Sequence, residues 1–319
     1  MGKFYEGGVR LTEVVRSGFS EGYHHGSVVV LDASGNTVAA TGDVESPMFP
    51  RSSNKPMQAV GMLRAGLRLT DSADLALVCA SHWGQDIHVN RAAAMLRSAG
   101  LDESALRCPP DLPLDPAAAA DVIRAGGGPS RIQMNCSGKH TGMLLTCVAA
   151  GWPTEGYLSP EHPLQKSITA AVADLAGEDV VATAVDGCGA PLLGISLTAL
   201  ARAFGTLVEA APGTAERSVA DAMRAHPELV SGTDTVEQKL MAAVPGMLVK
   251  AGAEGVMAVA VPGAGAVAIK MDDGAHRGNR PVLVSALRRI GVTGTALEQA
   301  AQELVLGGGE TVGELHSTW

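Results

Sequence analysis

The chain has 319 residues and carries 24 Lys+Arg against 33 Asp+Glu, a formal net charge of −9. That excess of acid excludes the basic face that nucleic acid or an anionic membrane would require, so neither is an expected partner. With 46% hydrophobic and 18% charged residues the chain is neither disordered nor disulfide-framed, and its five cysteines, an odd number, suit reduced thiols.

Glu6, Arg10, Glu13 and Arg16 interrupt the first stretch, so no apolar leader is expected there. Nor is there a run of about 18 apolar residues to span a membrane; the expected location is cytoplasmic. Residues 26–41 hold a β-branched run, a turn at Asp32–Asn36 and a second short run, which predicts an antiparallel hairpin. From Asn54 an apolar periodicity predicts a helix with Pro56 in its first turn, where a missing N–H costs little. Residues 74–80 form a short buried segment that delivers Ser81-His82-Trp83-Gly84. Helices are predicted over 88–99, 116–125, 138–150, 163–176, 191–204, 215–226 and 236–251. Two apolar runs, 255–261 and 266–271, flank a Pro262–Gly265 turn and predict a second hairpin; helices from Pro281 to Ile290 and over 296–305 close the chain. Sheet pieces at both ends around a helix-rich middle give an α+β class, with an antiparallel sheet built from both termini. Residues 1–319 read as one catalytic unit, with room for a helical subdomain in the middle.

Only seven of the basic residues are lysines, and Lys55, Lys139, Lys250 and Lys270 lie in Gly-, Pro- or Ser-rich contexts. Ser52 and Lys55, three apart at a predicted helix start, share a face, so the amine can reach the hydroxyl. A serine nucleophile with a lysine base fits this spacing, provided Lys55 is kept neutral by burial or a neighbouring cation. An N-cap is the structural alternative for Ser52. Ser81 ends an apolar run, where polar residues are often delivered to a cleft. Lys270, in a Gly/Ala/Val strand, reads either as an edge lysine that blocks aggregation or as the cation beside Lys55.

The segment Asn135-Cys136-Ser137-Gly138-Lys139-His140 and the Gly-rich turn around Cys188 form a second constellation. Two thiolates with a nitrogen donor suit zinc, although the spacing is not that of a zinc finger and ordinary buried cysteines also fit.

In order along the chain, RSSNKPMQ, SHWG, NCSGKHTGML, DGCGAP and KAGAEGV resemble the Rhizobium etli-type L-asparaginase family, also called the asparaginase II family, over residues 10–275. The resemblance implies a serine β-lactamase/glutaminase-like fold, hydrolysis of the side-chain amide of L-asparagine to L-aspartate and ammonia, and a homodimer. It implies Ser52 as nucleophile with Lys55 as base, and Ser81 with Lys270 as a second serine–lysine pair. Zn2+ would be held by Cys136, Lys139 and Cys188, with Asp186 and His140 beside it; these two and Arg51 would contact substrate. Two departures stand out: Gln85 replaces the acidic residue usual after Ser-His-x-Gly, and 231–241 lacks an expected arginine and Asp-Thr pair. Two other readings follow: a penicillin-interacting or peptidase-like serine hydrolase, or a catalytically silent zinc- or amino-acid-binding relative.

Overall fold

A computed structural model of the chain describes residues 4–319. Its strands are β1 (Val9–Arg16), β2 (Phe19–Asp32), β3 (Thr37–Thr41), β4 (Pro47–Met48), β5 (Ala182–Val185), β6 (Pro191–Ser196), β7 (Leu248–Gly252), β8 (Val256–Val261), β9 (Gly265–Met271), β10 (Leu304–Gly307) and β11 (Glu310–Ser317). The helices are α1 (Lys55–Arg64), α2 (Ser72–Val78), α3 (Asp86–Ser98), α4 (Pro116–Arg124), α5 (Ser137–Ala150), α6 (Pro163–Ala176), α7 (Leu197–Glu209), α8 (Ala215–Ala225), α9 (Pro227–Val230), α10 (Val236–Ala243), α11 (Asn279–Arg289) and α12 (Thr295–Ala300).

The architecture is α+β. An eight-stranded sheet runs β10-β11-β1-β2-β9-β8-β7, with β3 also paired to β2, and every pairing is antiparallel. Both termini therefore contribute strands, and helices pack on both faces, α7 on one and α11 on the other. A small sheet, β4-β6-β5, lies apart.

The sheet's two faces differ in side-chain size because alternate residues point to opposite sides. Ala258, Ala260, Ala266 and Ala268 belong to the core that includes Phe204 and Leu207 of α7. Met257, Val259, Val267 and Ile269 belong instead to the core with Val282, Leu283 and Leu287 of α11. Alanines admit α7 close to the sheet, while the larger residues fill the space toward α11. Burial on both faces is why these strands read as unbroken apolar runs rather than as alternations. Each fully buried Val, Leu, Ile, Phe or Met contributes roughly 1.5–3 kcal/mol.

Three predicted elements change, and a fourth, left open between strand and helix, is resolved. The predicted helix over 191–204 begins as strand β6; Ser196 then caps α7 by accepting from the Ala199 N–H at 3.0 Å. The predicted helix over 236–251 stops at Ala243, before Pro245-Gly246, and restarts as β7. Gly246 adopts φ +79°, a left-handed turn that glycine takes without steric cost, and proline disfavours helical backbone at the residue before it. Residues 74–80 fall mostly within helix α2, and the chain ends in the hairpin β10–β11 after the short α12. Strand β1 escaped the sequence because Arg10, Glu13 and Arg16 break its apolar pattern. Among the described residues, no helix is long and apolar enough to cross a membrane.

Candidate active site

A tight turn over Arg51–Asn54 leads into α1 and sets Ser52 and Lys55 in place. Ser53 holds the turn by donating to the Pro50 carbonyl at 2.7 Å. Ser52 makes no helix cap. It borders a cavity of about 580 Å3 together with Ser81 and Lys250. Strand β7 passes directly behind the turn: a Cβ added at Gly252 would lie 2.3 Å from the Pro50 oxygen and 3.2 Å from the Ser52 nitrogen. Only glycine lets the strand approach so closely.

Ser81 follows α2 in a loop strapped on both sides. Its N–H donates to the Val230 carbonyl at 3.0 Å, that of His82 to Asn135 at 3.0 Å, and that of Trp83 to Ser231 at 2.7 Å. His82 is buried and keeps its proton on Nε2: Nδ1 accepts from the Gly84 N–H at 3.1 Å, and Nε2 donates to Ser137 Oγ at 2.8 Å. Burial, followed by the nearby His88 and Lys55, pushes this imidazole well below its ordinary proton affinity, so it is a neutral brace.

The loop delivers Ser81 between two amines. Lys55 Nζ donates to Ser81 Oγ at 2.9 Å, to the Ala80 carbonyl at 2.5 Å and to Cys136 Sγ at 3.1 Å. Lys250 Nζ donates to Ser81 Oγ at 3.2 Å and to the Ala251 carbonyl at 2.9 Å. Both lysines are 1% exposed, which leaves the charged form of either poorly solvated. Burial first and the Lys55 charge second bring the Lys250 amine down to about 8. The Lys55 backbone N–H donates to the Ser52 carbonyl, but among the described residues no hydrogen bond joins the Ser52 hydroxyl to the Lys55 amine, which reaches Ser81 instead.

Lys270 is a correction. It stands on β9 opposite Val256 and Ser27, with β8 between its strand and β7. Its amine donates to the Glu254 and Met271 carbonyls at 2.9 and 3.0 Å and lies 5.5 Å from the centre of the Tyr5 ring. The second lysine at Ser81 is Lys250. Its position was hidden because 236–251 reads as one helix; the Pro245-Gly246 pair and the KAGAEGV motif were the available signals for a strand.

The other constellation lies behind Lys55. Cys136 stands at the N-terminus of α5, and Cys188 in a turn closed by Gly189 N–H to Asp186 O at 2.8 Å, with Gly189 at φ +85°. Lys139 Nζ is 3.0 Å from Cys188 Sγ. The contact between the two sulfurs places the thiolate on Cys188, below its ordinary range, and the proton on Cys136, above it. Burial alone would lower the Lys139 amine, but the Cys188 and Cys136 sulfurs hold it above its ordinary value. His140 is fully buried; its Nδ1 meets the Tyr157 hydroxyl at 2.7 Å, and its Nε2 has no hydrogen-bond partner among the described residues. The described residues contain no cluster of three His, Cys, Asp or Glu side chains able to hold a metal. Here an amine is the third donor, and two thiols with a nitrogen in mutual contact are a chemically suitable set for zinc.

Arg51 and Asp186 pair with each other: Arg51 Nε donates to Asp186 Oδ1 at 2.8 Å. Arg51 itself holds φ +54°, a left-handed conformation uncommon outside glycine. Arg280 of α11, which the sequence did not single out, borders the cavity, and its guanidinium pairs with Glu303.

A family model described as L-asparaginase II matches residues 12–317, from within β1 to the end of β11, and covers Ser52, Lys55, Ser81, Cys136, Lys139, Cys188 and Lys250. The chain belongs to the L-asparaginase II family. No curated protein matches it. Among solved structures it is similar to Mglu at 14% identity, covering 82% of this chain and 65% of that one, with a TM-score of 0.46. It is also similar to a β-lactamase from Mycobacterium bovis (14% identity, 86% and 95% coverage, TM-score 0.44). A third is the LovD6 mutant of simvastatin synthase from Aspergillus terreus (13% identity, 86% and 92% coverage, TM-score 0.42). The chain thus spans slightly less than two thirds of Mglu.

Proposed function

We propose that this L-asparaginase II family member hydrolyses the side-chain amide of L-asparagine through an aspartyl ester on Ser52. The observation that carries the reading is Ser81 held between the Lys55 and Lys250 amines at the floor of a cavity that Ser52 also borders. An amide is a poor electrophile, so its hydrolysis needs an activated nucleophile, a proton for the departing nitrogen and donors for the oxyanion. Ser52 Oγ attacks the amide carbon and gives its proton to the Lys55–Ser81–Lys250 array, in which one amine is neutral while the other is charged. Through Ser81, whose hydroxyl can accept from one amine and donate to the other when that one is neutral, the proton passes to the leaving nitrogen, and ammonia departs. Water then attacks the ester, loses its proton to the same array, and releases aspartate and the Ser52 hydroxyl. The Ser52 N–H, backed by Gly252, is a candidate oxyanion donor.

Cys136, Lys139 and Cys188 would hold zinc, which when bound would supply Lewis acidity and fix this wall of the site. Because Lys139 must lose its proton to bind, zinc affinity should fall as pH falls. Arg51, Asp186 and His140 are proposed substrate contacts, although none of them borders the cavity and His140 is fully buried. Charge argues for a small-molecule partner, and the expected homodimer can be checked by sedimentation. The test is ammonia release from L-asparagine by wild type, Ser52→Ala and Ser81→Ala: a wild type without activity, or a Ser52→Ala variant with full activity, overturns the proposal.

A further inference from the structure

We propose that Gln85 is a positioning residue: its amide latches the segment 231–237 as the outer wall of the catalytic cavity and thereby sets substrate affinity. The proposal rests on the reading of that cavity as the amide-hydrolysis site. The two departures noted in the sequence turn out to be hydrogen-bonded to each other. Gln85 Oε1 accepts from the Thr233 N–H at 3.1 Å, while Nε2 donates to Thr233 Oγ1 at 2.8 Å and to Asp115 Oδ2 at 2.9 Å. One side chain thus uses both of its donors and its acceptor to join the start of α3, the N-cap of α4 and the cavity wall. Asp115 is itself fixed, since its other oxygen caps α4 through the Ala118 N–H at 2.8 Å.

Gln85 occupies the N-cap position of α3 yet makes no cap bond there. Ser, Thr, Asp or Asn would suit a cap better; glutamine suits the latch. The wall needs holding. Asp234 adopts φ +63°, and strained positions of this kind cost of order 1 kcal/mol or more and persist only where the surroundings over-determine them. Gly232 lies so close to Trp83 that an added Cβ would be 3.0 Å from the Trp83 Cβ, so the wall seats directly on the loop that carries Ser81. Ser231, Asp234, Thr235 and Glu237 of this segment border the cavity, whereas Gln85 does not. A glutamate at 85 could accept from the Thr233 N–H but could not donate, and its charge would face Asp115.

Hydrogen exchange of the ligand-free protein and steady-state kinetics on L-asparagine test this together. Gln85→Ala should speed exchange of the Thr233 amide at least tenfold and raise KM about tenfold with kcat within threefold of wild type. Gln85→Glu should keep part of the Thr233 protection, raise KM similarly, and recover KM when acidified enough to protonate the new carboxyl, which the wild type would not do. Thr233→Val, which removes one of the three bonds, should give a smaller change in the same direction and serves if a Gln85 variant does not fold. Unchanged Thr233 exchange in Gln85→Ala, or a fall in kcat at constant KM, overturns the latch. The exchange result stands whether or not the wild type hydrolyses asparagine, so a failure of the latch is distinguishable from a failure of the amide reading.

Discussion

Lys139 and Lys250 are both buried to 1% exposure in the same region of the molecule, yet burial has opposite outcomes for them. Against Cys188 and Cys136 the Lys139 amine is held above its ordinary value; beside Lys55 the Lys250 amine is brought down to about 8. Desolvation is the largest single influence on each and acts downward on both. What separates them is the sign of the nearest charge, sulfur in one case and ammonium in the other. One wall of the site is therefore built to keep a proton on nitrogen until something displaces it, and the other to let nitrogen give it up near neutrality.

Removing Lys250 is the most severe way to break that contrast. Lys250→Met should lower kcat/KM by roughly a thousandfold, within the range expected when a positioned acid or base is lost. Lys270→Met, on β9, should stay within a fewfold of wild type. Equal losses in the two variants would reject Lys250 as the partner of Ser81. The activity of the wild type should also rise with pH through about 8 as Lys250 loses its proton, and pH profiles of kcat/KM check this.

The same shift has a stability counterpart. The Lys250 value in the folded chain, about 8, lies below its ordinary 10.5. Below about 8 both folded and unfolded chains hold the proton, so the full cost of burying the charge, about 3 kcal/mol at 1.36 kcal/mol per pKa unit, is present. Between about 8 and 10.5 the folded chain has lost the proton while the unfolded chain still binds it, so the cost fades. The stability gained in Lys250→Met over wild type should be larger at pH 7 than at pH 10, and paired denaturant titrations at the two values measure it.

How legible was this in the sequence? Ser52 and Lys55 could be placed on one turn because a Pro-marked helix start fixes local spacing, and the Cys136–His140 segment was recognisable for the same reason. The class of the sheet was legible from its apolar hairpins. Lys250 and Lys270 were not separable locally: each sits in a Gly/Ala/Val-rich stretch, and only the order β9-β8-β7 puts one beside Ser81 and the other two strands away. Arg280 and the Gln85–Thr233 bonds were invisible for a like reason, since they join segments far apart in sequence and no spacing rule reaches across such a gap. The partners of the Lys55 amine, the Ala80 carbonyl, Ser81 and Cys136, were also beyond the reach of spacing, which relates Lys55 only to Ser52.

The smallest predicted effect sharpens the sulfur side of the comparison. Tyr157 is fully buried, and its hydroxyl accepts from the Arg107 N–H at 3.0 Å and meets His140 Nδ1 at 2.7 Å. With one lone pair taken by Arg107, the hydroxyl's own proton is directed at Nδ1, which leaves the imidazole proton on Nε2. Tyr157→Phe removes that instruction and leaves a buried Nδ1 unpartnered, while Cys136, Lys139 and Cys188 remain. Outer-shell partners of metal sites typically contribute 10–100-fold in affinity. Zinc affinity, read by competition with a chromophoric chelator, should therefore weaken in Tyr157→Phe by about tenfold, against loss of stoichiometric binding in Cys188→Ser. Equal zinc affinity in Tyr157→Phe and wild type would show that the orientation of His140 does not matter to the sulfur cluster, and that the Lys139–Cys188 contact at 3.0 Å alone sets its character.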